Sequence, residues 1–218
     1  KTVNKTMKTT LFVIAIICLS SVQTKKIKIK ETLASKVKDD FTGANLIHNG
    51  DFEEPRTNGS WNLFDSIPGW TTNSGNQVEI GEGSIYNAAF TGTQVCELDG
   101  SSNFGIEQNF EVVGNGGCRL QFDWAARQGV AFSSLGILVE LNGAELIKKI
   151  PNNYNKQHED VTLNVHEGTN IIAFRGQGTS DGLGSVIDNV TLKCEESVYV
   201  PPVVEPVDPV PVDPVDPV

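Results

Sequence analysis

Apolar residues alternate with polar ones along much of the chain's middle. Val161, Leu163 and Val165 share one parity, as do Leu135, Ile137, Val139 and Leu141. Cys118, Leu120, Phe122 and Trp124 occupy one face of another stretch, with Arg119, Gln121 and Asp123 on the other. Val186, Asp188, Val190, Leu192 and Cys194 form a further single-face set. Period-two alternation is the mark of half-buried β-strands. Asn142-Gly143, between Val139-Glu140-Leu141 and Glu145-Leu146-Ile147, predicts a tight hairpin, because both residues tolerate positive φ. Glycine clusters at Gly114-Asn115-Gly116-Gly117 and Gly176-Gln177-Gly178 separate strands. No window holds a helical period. The pattern predicts an all-β class: one β-sandwich or jelly roll.

The flanks follow other rules. Residues 7–24 read as a secretory signal peptide: a basic start at Lys8, an apolar run Leu11–Leu19, then small and polar residues. The run is shorter than the roughly 20 apolar residues that span a bilayer, so no membrane span is expected. Residues 25–43 form a basic leader that includes the alternating Lys26-Ile27-Lys28-Ile29-Lys30. Residues 44–194 hold the sandwich. Residues 195–218 are an acidic, proline-rich, low-complexity tail with a recurring Val-Asp-Pro unit at Val207, Val212 and Val215. Proline fixes φ and lacks an N–H, so the tail is expected to extend as a polyproline-II spacer outside the core.

Charge narrows the partners. The chain carries a net charge of −10. Residues 41–194 contain eight bases against eighteen acids, and residues 195–218 contain six acids and no base. Such a surface disfavours nucleic acid and anionic lipid. It suits cations or neutral partners such as sugars. Cys18 leaves with the signal peptide, so Cys96, Cys118 and Cys194 remain for at most one intrachain bridge.

Catalytic patterns are weak. Gly178-Thr179-Ser180-Asp181-Gly182 spells a nucleophile elbow, but a β-like stretch follows where that elbow needs a helix. His48, His158 and His166 show no metal spacing. The expectation is a protein that is not an enzyme. For sugar binding, aromatic faces and hydrogen-bonding side chains near loops are needed. Trp61, Tyr86, Gln94 and Arg127 are the candidate ligand-binding set, while Trp124 shares phase with Leu120 and Phe122 and reads as core. Asn58-Gly59-Ser60 and Asn189-Val190-Thr191 are N-glycosylation sequons. Asp188 is in phase with Val186, Val190 and Leu192, so it is expected to point inward. There it must bind a cation, cap amides or pair with an arginine.

One ordered series of motifs carries a resemblance. It comprises Asn45–Pro55 with its His48-Asn49-Gly50-Asp51-Phe52-Glu53 centre, Ile67-Pro68-Gly69-Trp70, Val78-Glu79-Ile80, Gly92–Gly100, Ile106-Glu107-Gln108, Leu120–Arg127 and Val186–Leu192. In this order they resemble secreted galactose-binding-like jelly rolls, most closely the cell-wall domain-of-unknown-function 642 family, whose fold carbohydrate-binding modules share. The resemblance implies a non-catalytic, secreted module binding polysaccharide or glycoprotein glycan in a cell wall or extracellular coat. It also implies a structural calcium held by Glu53 and Asp188, the counterparts of the first-strand glutamate and last-strand aspartate of those modules. It further sets the strands of Cys118–Trp124 and Val186–Cys194 side by side and antiparallel, which implies a disulfide between Cys118 and Cys194. The rival pairing is Cys96 with Cys118, leaving Cys194 for another chain. The alternative function is a structural subunit of an extracellular fibre, a homo-polymer built by exchange of the leader strand with the tail as spacer or glycosylated rod.

Overall fold

The computed structural model describes residues 41–72, 76–88, 90–103, 105–196 and 198. The signal peptide, nearly all of the leader, and the tail from residue 199 lie outside the described residues. The described residues form twelve strands in chain order: β1 Trp61–Phe64, β2 Ser66–Ile67, β3 Trp70–Thr71, β4 Val78–Glu82, β5 Gln94–Glu97, β6 Ile106–Val112, β7 Gly116–Ala125, β8 Ile137–Leu141, β9 Ala144–Lys149, β10 Gln157–Val165, β11 Gly168–Gly176 and β12 Val186–Cys194. Among the described residues the helical content is one turn, α1 Gly83–Tyr86, and a 3-10 turn at Phe132–Ser134. The strands form two six-stranded sheets, ordered β1-β4-β5-β12-β7-β10 and β2-β3-β6-β11-β8-β9. Neighbouring strands are antiparallel throughout. The architecture is the all-β sandwich that the alternation predicts.

The two inner faces interlock as a single core. Leu120, Phe122, Ile137, Val139, Ile172, Phe174, Ile187 and Leu192 are all fully buried in it. Trp70 sits under the Asn45–Pro55 segment, its indole N–H donating to the Asn49 carbonyl at 3.0 Å and its ring 5.5 Å from that of Phe52. The hairpin at Asn142-Gly143 forms as expected, with φ of 52° and 78° at the two residues and Leu141 facing Ala144. Cys118 and Cys194 face each other across β7 and β12 and are joined, while Cys96 is free and buried. By the chain-entropy account, such a bridge constrains the unfolded chain by roughly 4 kcal/mol.

Three expectations change. The phase of β12 is broken at Asn189, where φ is +54° and the register with β7 slips. Asp188 faces Asp123 and Thr191 faces Gln121, so β12 carries one extra residue, a β-bulge. Ile187, Val190 and Leu192 therefore enter the core, whereas Val186 and Asp188 lie on the outer face. Asp188 is buried but does not point between the sheets. Second, Asn45–Pro55 is not a strand. It runs as a bonded loop beside β12, through Leu46 N–H to the Leu192 carbonyl and Val190 N–H to the Gly50 carbonyl, both 2.8 Å. Third, the core reaches past residues 44–194: Phe41 is buried, and Val198 is fully buried and donates and accepts backbone bonds at Glu195 and Val113.

Candidate functional site

Part of the outer face of the first sheet is covered by α1 and the residues after it. Tyr86 packs there on Val95, Ala125 and Val186, with Ala88 and Phe90 beside it. Beneath this cover lie two carboxyls, Glu79 on β4 and Glu97 on β5, directly opposite each other in register. The Tyr86 hydroxyl donates to Glu79 Oε1 at 2.8 Å. Arg127 lies over the Tyr86 ring at 5.0 Å and places Nη1 3.4 Å from Glu97 Oε1, which also accepts the Gly184 N–H. Glu97 Oε2 is buried without a partner. Burial, then the neighbouring charge of Glu79, pushes the Glu97 carboxyl up to about 8. Burial likewise drives the Tyr86 hydroxyl upward, with Glu79 adding to it.

The four expected ligand residues therefore separate. Tyr86 is 1% exposed. Gln94 is also 1% exposed; its amide N–H groups donate to the Phe52 and Pro55 carbonyls at 2.8 and 3.1 Å, and its oxygen accepts the Thr57 N–H at 2.7 Å. Both side chains are committed to partners within the fold. Trp61 is 49% exposed on the edge strand β1. It neighbours Tyr86 across Gly81, where any Cβ would collide with both side chains. Arg127 is partly exposed and already committed to Glu97 and Tyr86.

The second expected pair, Glu53 and Asp188, flanks the bulge. Burial raises the Glu53 carboxyl, but bonds from Thr93 N (2.6 Å), Gln94 N (3.0 Å) and Thr93 Oγ1 (2.7 Å), with Arg56 at 3.1 Å, outweigh it and hold the group low. Asp188 Oδ1 accepts the Asn189 N–H at 2.7 Å, while Oδ2 is buried with no partner. Burial pushes its carboxyl up to about 8 against the pull of that N–H, and the charges of Asp123, Asp51 and Glu53 add to the rise. Burial also raises Asp123, but Lys156, His158 and Asn189 at 2.9, 2.9 and 2.8 Å outweigh it and hold the group low. Among the described residues, no three His, Cys, Asp or Glu side chains gather closely enough to hold a metal ion on their own. Asn189, one of the two sequon asparagines, has its amide tied to Asp123 and Thr91. Asn58 is exposed in a turn.

A third place was not legible beforehand. β9 ends the edge of one sheet and β10 begins the edge of the other, and residues 150–156 cross between them. Under this crossing lies a cleft of about 130 Å3 lined by Trp124, Lys149, Ile150, Asn152, Asn155 and Glu159, among others. The Trp124 indole N–H donates to Glu159 Oε1 at 3.1 Å, and Lys149 Nζ stands 3.3 Å from Glu159 Oε2. Asn153 donates to Asn152 Oδ1 at 2.7 Å and accepts the Asn155 N–H at 2.8 Å. Tyr154 pins the crossing from outside, donating to the Val130 carbonyl at 2.8 Å with its ring 4.8 Å from Phe132. The one sequence signal was Asn152-Asn153-Tyr154-Asn155, polar and amide-rich between two strands. The elbow-like stretch is a fixed loop: Ser180 Oγ donates to Asp99 Oδ1 at 2.9 Å, and the Asp181 and Gly182 N–H groups cap Asp99 Oδ2.

No family model matches the chain. A multifunctional-autoprocessing repeats-in-toxin of Vibrio vulnificus is 32% identical over 162 residues, or 73% of this chain. The protein of the same description from Vibrio cholerae serotype O1 is 31% identical over 156 residues, or 70% of this chain. The chain spans about 3% of the length of each. Among solved structures, a family 35 carbohydrate-binding module from Paenibacillus barcinonensis aligns with 17% identity and a TM-score of 0.38, over 62% of this chain and 98% of that one. One from Clostridium thermocellum aligns with 18% identity and a TM-score of 0.39, over 57% and 92% of the respective chains.

Proposed function

We propose that this chain is a secreted, non-catalytic module that binds glycans through the cleft between β9 and β10. The observation that carries this reading is the cleft itself: amides, an ammonium and a carboxylate converge with apolar side chains on a concave, fixed surface. Ligand sites are typically such concavities with a few placed polar groups. The negative chain disfavours polyanions and leaves neutral partners. Among the described residues Glu159 is the one carboxylate lining the cleft, and both its oxygens are bonded. Two-carboxylate glycoside hydrolysis has no second group there. The Cys118–Cys194 bridge agrees with an oxidising, extracellular compartment. The segment shared with the two Vibrio toxins is 3% of each, so the shared unit is one module and their other activities are not carried over. Screening the purified chain against a glycan array tests the reading. Retention of a defined glycan set is expected, and an empty array with and without calcium overturns it.

In the same reading, a structural calcium sits at the bulge, with Asp188 and Glu53 on its rim. Its support is the buried, unpartnered Asp188 Oδ2, surrounded by the charges of Asp51, Glu53 and Asp123. A buried carboxylate oxygen needs a counter-charge or a proton. Calcium takes six to eight oxygens and accepts carbonyls and water besides carboxylates. Millimolar calcium is expected to raise the melting temperature by several degrees, and Asp188→Asn to abolish the increment. Identical melting in calcium and in chelator removes the metal.

A further inference from the structure

The composition of the β9–β10 cleft selects among sugars. We infer that it takes one neutral pyranose residue at a time, at a chain end, and rejects uronates and sulfated sugars. The inference rests on the glycan reading and narrows it.

Three observations lead there. The first is charge balance. The ionic groups lining the cleft are Lys149 and Glu159, paired with each other at 3.3 Å. Lys149 is therefore already neutralised, and a carboxylate or sulfate entering the cleft would meet Glu159 with no spare cation. Burying an unmatched charge is costly, whereas hydroxyls pair readily with groups of both kinds. Asn152, Asn155 and Gln157 also line the cleft; amides carry donors and acceptors, and of these Asn152 Oδ1 already accepts from Asn153 and Gln157 Nε2 donates to the Asn155 carbonyl at 3.3 Å. A sugar hydroxyl, itself donor and acceptor, fits such a wall.

The second is that, among the described residues lining the cleft, Trp124 is the one aromatic. Trp124 is 3% exposed and lies in the floor with its indole N–H already donated to Glu159. Ile150, at 61% exposure, and Pro151 are the apolar groups at the rim. They can cover the C–H face of one ring, but they cannot carry a run of stacked rings. A cleft of about 130 Å3 is of similarly limited reach. Both facts favour a terminal residue over the middle of a long polysaccharide.

The third is that the wall is held before any ligand arrives. Tyr154 anchors the crossing to Val130 and Phe132. Asn153 braces Asn152 and Asn155 from inside the loop. A prearranged wall loses little freedom on binding, which matters most for a small ligand with few contacts.

The test uses the full chain, with methyl glycosides of neutral hexoses and the methyl glycoside of glucuronic acid, read by saturation-transfer NMR and calorimetry. The variants are Asn155→Ala and Glu159→Gln, with Trp61→Ala as the competitor site and thermal melting to verify folding. Expected are binding of a neutral glycoside, no binding of the uronate, and at least a tenfold loss in Asn155→Ala and Glu159→Gln but not in Trp61→Ala. Uronate binding as tight as the neutral sugar's overturns the inference. A loss confined to Trp61→Ala moves the ligand to the β1 edge and overturns the cleft while leaving glycan binding intact. If neither glycoside binds but the array retains long polysaccharides, the terminal-residue inference fails alone. If the array is also empty, the glycan reading fails with it.

Discussion

Glu97 and Glu79 stand opposite each other on neighbouring strands, and Tyr86 can donate only one proton to the pair. With Oε2 of Glu97 buried and unpartnered, the neutral acid is the form the site accommodates. Burial and then Glu79 disfavour its charge, and the Gly184 N–H and then Arg127 favour it. The folded pKa is raised from 4.5 to about 8, so the unfolded chain loses this proton first. Stability attached to Glu97 is full below pH 4.5. It declines as pH rises and is gone above about 8. Glu97→Gln keeps the acceptor for Gly184 and supplies an N–H toward Glu79. Denaturant titrations from pH 4.5 to 8.5 are expected to show wild-type stability falling and the variant's staying flatter. At pH 8 the variant gains on the order of a few kcal/mol, the linkage of a carboxyl raised from 4.5 to about 8. Parallel pH profiles for the two proteins contradict the account. The same scale shows why sequence reading misplaced Asp188. Its parity with Val190 and Leu192 holds only in a regular strand, and one left-handed residue, Asn189, inverts it. Tyr86 and Gln94 had the right chemistry for a sugar site, but their burial comes from α1 and the Asn45–Pro55 loop, which no local pattern reveals.

At the scale of elements, legibility follows how local the determinant is. The β8–β9 hairpin is set by two residues whose φ is positive, so Asn142-Gly143 could be read directly. β7 and β10 alternate over nine or ten residues and declared themselves by period. β1, β2 and β3 have two to four residues each, too few to show a period, and they exist because neighbouring strands supply their bonds. The β9–β10 crossing is of a third kind. Its asparagines were visible in the sequence, but their meaning depends on β9 and β10 being edges of different sheets at one end of the sandwich. That is a property of topology, and a cleft created by a change of sheet cannot be inferred from the loop alone.

For the molecule as a whole, the boundaries of the folding unit are set by burial rather than by the last alternating residue. Val198 is fully buried against Gly116 after β12 has ended, with its carbonyl accepting the Val113 N–H at 3.1 Å. Phe41, at 8% exposure, approaches Gly117 before the first motif begins. The two ends thus close the same end of the sandwich, beside the Cys118–Cys194 bridge. Burying one such side chain contributes about 1.5–3 kcal/mol. A chain cut to residues 44–194 loses both, together with the bond at Val113. For a domain of this size, 1 kcal/mol moves the midpoint by roughly 2–4 °C. The 44–194 chain is therefore expected to melt roughly 5–15 °C below a chain of residues 41–198, which itself should melt with the full-length protein. Scanning calorimetry of the three lengths, with the disulfide verified intact in each, makes the comparison. Equal midpoints for the two shortened chains would show that Phe41 and Val198 only rest on the sandwich. A 41–198 chain melting well below the full-length protein would mean that residues beyond both ends take part in the fold.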